Sequence, residues 1–321
     1  MLNIKKILLP VDFPNPSLSV IHQAATLSRH FHSEIVMLHV VTAESHAAGV
    51  PDIDPEFAGW DMLAEITQKA EKRLDRSLTP ELEGLAIRPL LLKGNPAQKI
   101  LETAQMEKVD LIMMPSHGEA FNQFLLGSVT AKVLHGSDCP IWTDAHLEEP
   151  DRPSTDYNPL LLYGSVGKSK AYPTQTGQEQ MRQPGPEFTI HSVLCAVDFG
   201  ARSQRAVSWA AQMAAEFGAH LTLVHVTASV EFWGPGGNYV NLHWKEELVS
   251  GASRYLGALQ KEMGTKADEL IASGDVPKAL DQAAKQTKAD LLVTGCYPYG
   301  DNLRIHGYAI ICAVPIPVLS V

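Results

Sequence analysis

Leu8-Leu9-Pro10-Val11-Asp12-Phe13 is an apolar run that ends in an aspartate, and it returns 186 residues later as Leu194-Cys195-Ala196-Val197-Asp198-Phe199. The same offset relates Leu38-His39-Val40 to Val224-His225-Val226. Similarity at a long, constant spacing is typical of a duplicated structural unit. The chain of 321 residues is also long enough for two domains of ordinary size. The sequence therefore predicts two copies of one domain.

The segment between the two copies differs from them in composition. Its prolines are scattered among Gly, Ser, Thr and Gln, a mixture that resists regular structure. They are Pro150, Pro153, Pro159, Pro173, Pro184 and Pro186. We therefore expect a first domain over residues 1–143, a proline-rich linker over 144–187 and a second domain over 188–321.

Within each copy, apolar runs alternate with helical patterns, as in βαβ units around a parallel sheet that is covered on both faces. The pattern predicts an α/β fold of two tandem doubly wound domains, each with five parallel strands in the order 3-2-1-4-5 and four helices. In the first copy we expect strands at 4–11, 34–41, 85–92, 109–114 and around 140–142. We expect helices after Ser17, over 63–74, after Asn95 and from Ser128. In the second copy, Ser203 should open a helix that Gly218 closes.

Two loops of the first copy should form one site, because ligands of doubly wound sheets lie beyond the carboxyl ends of the strands where the strand order reverses. The loop after the first strand carries Asp12, and the loop after the fourth strand spans residues 115–130. Gly118 and Gly127 permit close backbone approach, and a helix that opens at Ser128 offers free N–H groups to an anion. The combination predicts a phosphate-binding loop.

The same loop resembles the signature of the universal stress protein family, G-x-x-G followed by nine residues and G-S/T. The residues that carry the resemblance are Ser116-His117-Gly118 and Leu125-Leu126-Gly127-Ser128-Val129-Thr130. It extends over both copies and implies an adenine-nucleotide alpha-hydrolase-like fold. It also implies ATP, or ADP or AMP, as the cofactor, with Mg²⁺ as counter-ion. By analogy with ATP-binding members, the nucleotide-binding residues would be Asp12, Val40, Gly118, Gly127, Ser128 and Val129.

Both copies depart from the family pattern. In the first copy Pro115 replaces the first glycine, and eight residues separate Gly118 from Gly127. In the second copy Pro298 replaces the second glycine, and Gly307 is followed by Tyr308. A proline removes one N–H donor and a tyrosine would obstruct the loop. We therefore expect weak or absent nucleotide binding in the second copy, where Asp198 would be structural.

Charge and composition exclude several function classes. A formal net charge of −10 without a Lys/Arg cluster argues against nucleic acid and against an anionic membrane surface as partners. The N-terminal apolar run is too short for a signal peptide or a membrane span, so we expect a cytoplasmic protein. Four isolated cysteines predict neither a metal site nor disulfides. The sequence has no hydrolase motif, and we predict no catalytic residue.

Three functions stay open at this stage. The first is a binding protein whose nucleotide occupancy changes its stability or its contacts. The second is a stress or interaction protein that binds no nucleotide. The third is a slow ATPase or self-phosphorylating protein, with Ser128 or Thr130 as acceptor. The family resemblance also implies that the last strands, at 139–143 and 315–321, pair the two copies as an intramolecular pseudo-dimer, because such edge strands pair across a two-fold in this family; a homodimer is the other possible assembly.

Overall fold

The computed structural model describes residues 2–12, 17–41, 82–116, 126–144, 188–200, 202–228, 243–295 and 307–321, together with the backbone of 231–234, 237–240, 242 and 304–306. The expected helix over 63–74, Gly118, Pro298 and nearly all of the expected linker lie outside these residues.

The first copy follows the expected order of strands and helices. Its elements are β1 (Lys6–Pro10), α1 (Leu18–Phe31), β2 (Glu34–Val41), β3 (Ile87–Lys93), α2 (Pro96–Glu107), β4 (Leu111–Met114), α3 (Ser128–Gly136) and β5 (Ile141–Thr143). The first strand starts at Lys6, later than expected, and the backbone N–H groups of Lys5 and Lys6 donate to the Asp110 carboxylate at 2.8 and 2.9 Å. As expected, Asn95 caps α2 by accepting from the backbone of Gln98 at 3.1 Å.

The second copy repeats this order and adds a hairpin. Its elements are β6 (Ser192–Ala196), α4 (Ser203–Phe217), β7 (His220–Thr227), β8 (Glu231–Gly234), β9 (Gly237–Val240), α5 (Leu242–Met263), β10 (Asp268–Ser273), α6 (Val276–Thr287), β11 (Leu291–Thr294), α7 (Arg304–Ala313) and β12 (Val318–Ser320). Gly218 ends α4 in the left-handed region with φ 63°, as the sequence predicts. The antiparallel pair β8–β9 is not foreseen from the sequence.

All strands outside that hairpin form one sheet. The first copy has the order β3-β2-β1-β4-β5 and the second the order β10-β7-β6-β11-β12, so the predicted α/β fold and strand order are confirmed. Within each copy the strands are parallel. The two halves meet where β5 and β12 pair antiparallel, with Leu319 opposite Trp142. The result is a ten-stranded sheet.

Both faces of the sheet are buried, which explains the continuous apolar runs of the sequence. One core packs the sheet against α1, α4 and α5, and it contains Leu9 and Leu223. The other packs the sheet against α2, α3, α6 and α7, and it contains Leu8 and Val224. Each core draws buried residues from both copies. The copies are therefore joined by apolar packing as well as by strand pairing.

The carboxyl ends of α1 and α4 also meet between the copies. His30 stacks on Phe217 with ring centroids 4.2 Å apart, and Phe31 meets Phe217 edge to face at 6.0 Å. Phe31 and Phe217 occupy equivalent positions of the two copies, since the repeat offset relates them. The contact thus follows the internal symmetry of the chain.

Candidate functional site

The first-copy site lies at the carboxyl edge of the sheet, between β1 and β4. These strands are parallel neighbours, with Ile7 opposite Leu111 and Leu8 opposite Ile112. Asp12 follows the end of β1, and α3 begins after the loop that leaves β4. The topology therefore brings Asp12 and the start of α3 to the same edge, as expected for a strand-order reversal.

The amino end of α3 offers backbone donors. Gly127 is its N-cap, and the Gly127 N–H donates to the carbonyl of Ser116 at 3.0 Å. The first bond of the helix runs from the Ala131 N–H to the Gly127 carbonyl at 2.8 Å. The N–H groups of Ser128, Val129 and Thr130 therefore precede the helical bonds and face outward at the positive end of the helix dipole. This arrangement suits an anion.

The Thr130 side chain anchors this helix to the end of β4. Its hydroxyl donates to the carbonyl of Pro115 at 2.9 Å, and the residue is buried. The proline at position 115 thus supplies an acceptor although it lacks an N–H. Of the two hydroxyls considered as phosphoryl acceptors, Thr130 is occupied inside the protein, whereas Ser128 is exposed.

Val40 places peptide groups at the same edge. Along β2, the Leu38 carbonyl accepts from the Val11 N–H at 2.8 Å on the β1 side, and the Val41 carbonyl accepts from the Gly94 N–H at 3.0 Å, beyond β3. Since backbone groups alternate in direction along a strand, those of Val40 turn toward β1. The pairing of β1 with β2 ends at Leu38. The Val40 N–H and carbonyl therefore face the open crevice.

His39 fixes the backbone next to Asp12. Its Nδ1 lies 2.9 Å from the carbonyl of Val11, and because a carbonyl only accepts, Nδ1 carries the hydrogen and donates. Desolvation raises the pKa of the Asp12 carboxyl, and the nearby His39 opposes this rise. The His39 ring therefore holds the backbone of the residue before Asp12.

Asp144 is a residue of this site that sequence analysis placed in the linker. Its carboxylate accepts from the Ser116 N–H at 2.8 Å, from the Ser116 hydroxyl at 3.0 Å and from the Ser17 hydroxyl at 3.0 Å. Burial raises its pKa, while these hydrogen bonds act in the opposite direction. Asp144 thus ties the start of the glycine loop to the start of α1. Its position directly after the last apolar strand was the available clue.

In the second copy, local bonds engage the equivalent aspartate. Asp198 accepts from the Gly200 N–H at 2.8 Å and from the Ser203 hydroxyl at 2.7 Å, so it caps the turn into α4. Ser203 corresponds to Ser17, which bonds to Asp144 instead. Val321 occupies the position of Asp144 in the second copy and bonds only through its backbone to Thr294 among the described residues, at 2.9 Å. Ser203 therefore bonds to Asp198.

The helix after the fourth strand also differs between the copies. α7 begins at Arg304, so Gly307 and Tyr308 lie within its first turns, whereas the equivalent Gly127 caps α3. The N–H of Tyr308 accordingly falls among the bonded groups of the helix. The Tyr308 hydroxyl donates to the carbonyl of Ala131 in α3 at 2.8 Å. The early helix start, which the sequence did not reveal, shifts the free donors one turn away from the positions that they occupy in the first copy.

The described part of the chain has no group of three or more His, Cys, Asp or Glu side chains that could hold a metal ion. In that same part, none of the helices has the length and apolar character needed to cross a bilayer.

Comparisons with known proteins agree with the architecture. The chain matches the model of the universal stress protein family over residues 3–143 and 189–299. A universal stress protein of Methanocaldococcus jannaschii is 29% identical over 140 residues, which are 43% of this chain and 79% of that protein. One of Methanothermobacter thermautotrophicus is 33% identical over 113 residues, 34% of this chain and 74% of that protein. A crystal structure of a universal stress protein from Archaeoglobus fulgidus superimposes with a TM-score of 0.60 at 20% identity, over 99% of this chain and 96% of that one. The chain belongs to the universal stress protein family.

Proposed function

We propose that the first copy binds ATP or a related adenine nucleotide and that the second copy is a structural or regulatory partner without a nucleotide. The observation that carries this proposal is the contrast between the two helices after the fourth strand. α3 starts at Ser128 and leaves three N–H groups at the carboxyl edge, while α7 starts one turn earlier. Asp198 is also engaged in a turn. At the positions equivalent to Ser128 and Val129, the N–H groups of the second copy are therefore used within α7.

The crevice of the first copy would offer a separate group to each part of an adenine nucleotide. Phosphate oxygens would accept from the N–H groups of Ser128 and Val129, with Gly127 allowing close approach. The peptide groups of Val40 would meet the adenine edge, and the Asp12 carboxylate would accept from ribose hydroxyls. Gly118, outside the described residues, would extend the phosphate contacts. Among the described residues, the positions of Asp12, Val40 and Ser128 at this edge support the proposal.

Magnesium would enter with the nucleotide. The chain has a net charge of −10, so a bare triphosphate would be repelled overall. Mg²⁺ keeps several waters and commonly binds through substrate phosphates. This mode suits a site in which the described residues provide no metal-binding cluster. The proposal includes a cytoplasmic location, where MgATP is available.

The two copies would act as an intramolecular pseudo-dimer. The β5–β12 pairing and the shared cores support this assembly, because the edge strands are used within the chain and are not left for a second molecule. A nucleotide in the first copy would then stabilise the whole molecule by linkage. We expect the purified protein to sediment as a monomer.

The test replaces one backbone donor without removing the helix. Ser128→Pro deletes an N–H at the first helical position, where proline is favoured, and Gly127 has φ −56° and ψ 136°, which a following proline tolerates. Because hydrogen bonds to charged groups contribute about 1.5–3 kcal/mol, MgATP affinity should fall roughly 10- to 100-fold by isothermal titration calorimetry. Ser128→Ala keeps the N–H and should bind within a few-fold of the unmodified protein.

The same titration gives the number of sites. One MgATP per chain, unchanged by Asp198→Asn, agrees with the proposal. Two sites per chain would refute the asymmetry, and an unmodified protein that takes up no adenine nucleotide at millimolar concentration would refute nucleotide binding. Equal affinity of Ser128→Pro and Ser128→Ala would show that α3 does not hold the phosphates.

A further inference from the structure

The second copy contains a cavity of about 150 Å³ at its carboxyl edge. It lies beyond the ends of β6 and β7, is bounded by α6 and α7, and is closed on one side by Leu134 and His135 of α3 from the first copy. We propose that this second-copy cavity binds a compact, uncharged aromatic molecule. The proposal does not depend on nucleotide binding in the first copy, because it concerns different residues.

The walls of the second-copy cavity are mostly apolar, and Asp198, Thr294 and Ser320 are among the polar residues that line it. Its lining includes Val197, Val224, Leu280, Ile310 and Ile311, each of them no more than 5% exposed. These side chains are buried in the two hydrophobic cores, so they cannot readily turn toward water. A mostly apolar pocket of this volume has room for a benzene-sized guest. The cavity therefore favours a single-ring or small bicyclic compound.

A nucleotide does not fit this description. Nucleotide-sized ligands occupy pockets of roughly 300–1,000 Å³. The early start of α7 uses the backbone donors that phosphates would need, and the Asp198 carboxylate already accepts from Gly200 and Ser203. Burial of phosphate charge against valine, leucine and isoleucine side chains would also be strongly unfavourable. The engaged donors and the apolar side chains of the cavity therefore both disfavour a charged ligand.

His225 gives the cavity a polar preference. The ring lines the cavity, its Nδ1 donates to the carbonyl of Val197 at 2.7 Å, and Phe199 packs on its face at 4.2 Å. With Nδ1 committed as the donor, Nε2 of the neutral ring is an acceptor. An aromatic ligand with one N–H or O–H group could satisfy it. We therefore expect indole and phenol to bind more tightly than benzene.

Gly307 is the lining residue at which we expect a larger side chain to compete with a ligand. It lines the cavity within α7, and a Cβ placed there would meet no atom within 4 Å. A leucine at this position would extend into open space, and leucine has a higher helix propensity than glycine. Gly251 in α5 is the matched control, because its Cβ also meets no atom within 4 Å and it does not line the cavity.

The experiment titrates indole, phenol and benzene into the full chain and follows methyl resonances of Val197, Leu280 and Ile310 by NMR. We expect saturable shifts at these methyl groups, an affinity at least 10-fold weaker in Gly307→Leu, and an unchanged affinity in Gly251→Leu. Gly307→Ala, a smaller change, should give an intermediate loss and covers the case in which the leucine variant folds poorly. Non-saturable shifts, equal binding by Gly307→Leu, or competition of MgATP with indole at these methyl groups would each overturn the proposal.

Discussion

At the scale of single residues, Asp144 gives the most direct prediction about the first-copy site. Its buried carboxylate has a pKa above that of an ordinary aspartate because desolvation outweighs its hydrogen bonds. The folded protein therefore binds this proton more tightly than the unfolded chain does, and Asp144 costs stability as the pH rises through its raised pKa. Asp144→Asn removes the charge and can still accept from Ser116 and donate to Ser17. We expect the variant to match or exceed the unmodified protein by about 1 kcal/mol at pH 7.

The sign of this effect can be checked by urea unfolding at several pH values. The advantage of Asp144→Asn should shrink as the pH falls through the raised pKa of Asp144, because the native carboxyl then takes up a proton. Asp144→Ala is the control, since it leaves the N–H of Ser116 buried without its acceptor and should cost about 1–3 kcal/mol. A difference between the asparagine variant and the unmodified protein that grows on acidification would contradict the argument.

Some residues of the site can be located from the local sequence, whereas others depend on contacts between distant parts of the chain. Gly127 and Ser128 could be located from the sequence, because the preference for glycine and serine at a helix start depends on residues nearby in the chain. Asp144 and His39 act through contacts with Ser116 and Val11, which are 28 residues distant in each case. Such contacts exist only once the strands are in register. The sequence could show their residue types but not their partners.

At the scale of helices and strands, the sequence predicted the strand order and most boundaries, since apolar runs and caps are local features. β2 and the starts of α1, α2 and α3 lie where the pattern places them. The start of α7 was not predictable in this way. The segment Arg304-Ile305-His306-Gly307 contains no Ser, Thr, Asp or Asn to cap a helix, and a glycine inside a helix is unfavourable. The helix nevertheless continues through it.

Tyr308 connects α7 to α3, and its hydroxyl gives a prediction for this contact between elements. The bond to the Ala131 carbonyl is 2.8 Å long and partly buried. Tyr308→Phe keeps the ring and removes the bond, so the free energy of unfolding should fall by about 1 kcal/mol. Tyr255→Phe is the control, because Tyr255 is 65% exposed and its loss of a hydroxyl should change stability by less than about 0.5 kcal/mol. Equal effects of the two changes in chemical unfolding would mean that the α7–α3 bond contributes nothing.

At the scale of the whole molecule, duplication explains why two copies form one body. Each copy alone would end at an edge strand, β5 or β12, with unpaired backbone groups. Their antiparallel pairing removes both edges and extends the two cores across the junction. The sequence predicted that these strands would meet only through its resemblance to a family in which such edge strands pair. It could not show that α1 and α4 also meet through Phe31 and Phe217.

This shared packing predicts that the two copies unfold together. Differential scanning calorimetry should show one transition, and hydrogen exchange should give similar opening free energies for the amides of β3 and β10, which lie at opposite ends of the sheet. Phe217→Ala removes a partly buried ring at the junction and should lower the stability of both ends by about 1–3 kcal/mol. Met106→Ala is the matched surface change, since Met106 is 73% exposed, and should leave both ends unaffected. Two separate transitions, or a Phe217→Ala effect confined to β10, would show that the copies are independent domains that merely share a strand pair. A common loss of stability at β3 and β10 would show that the two copies unfold as one unit. A ligand bound in either copy would then stabilise the entire sheet.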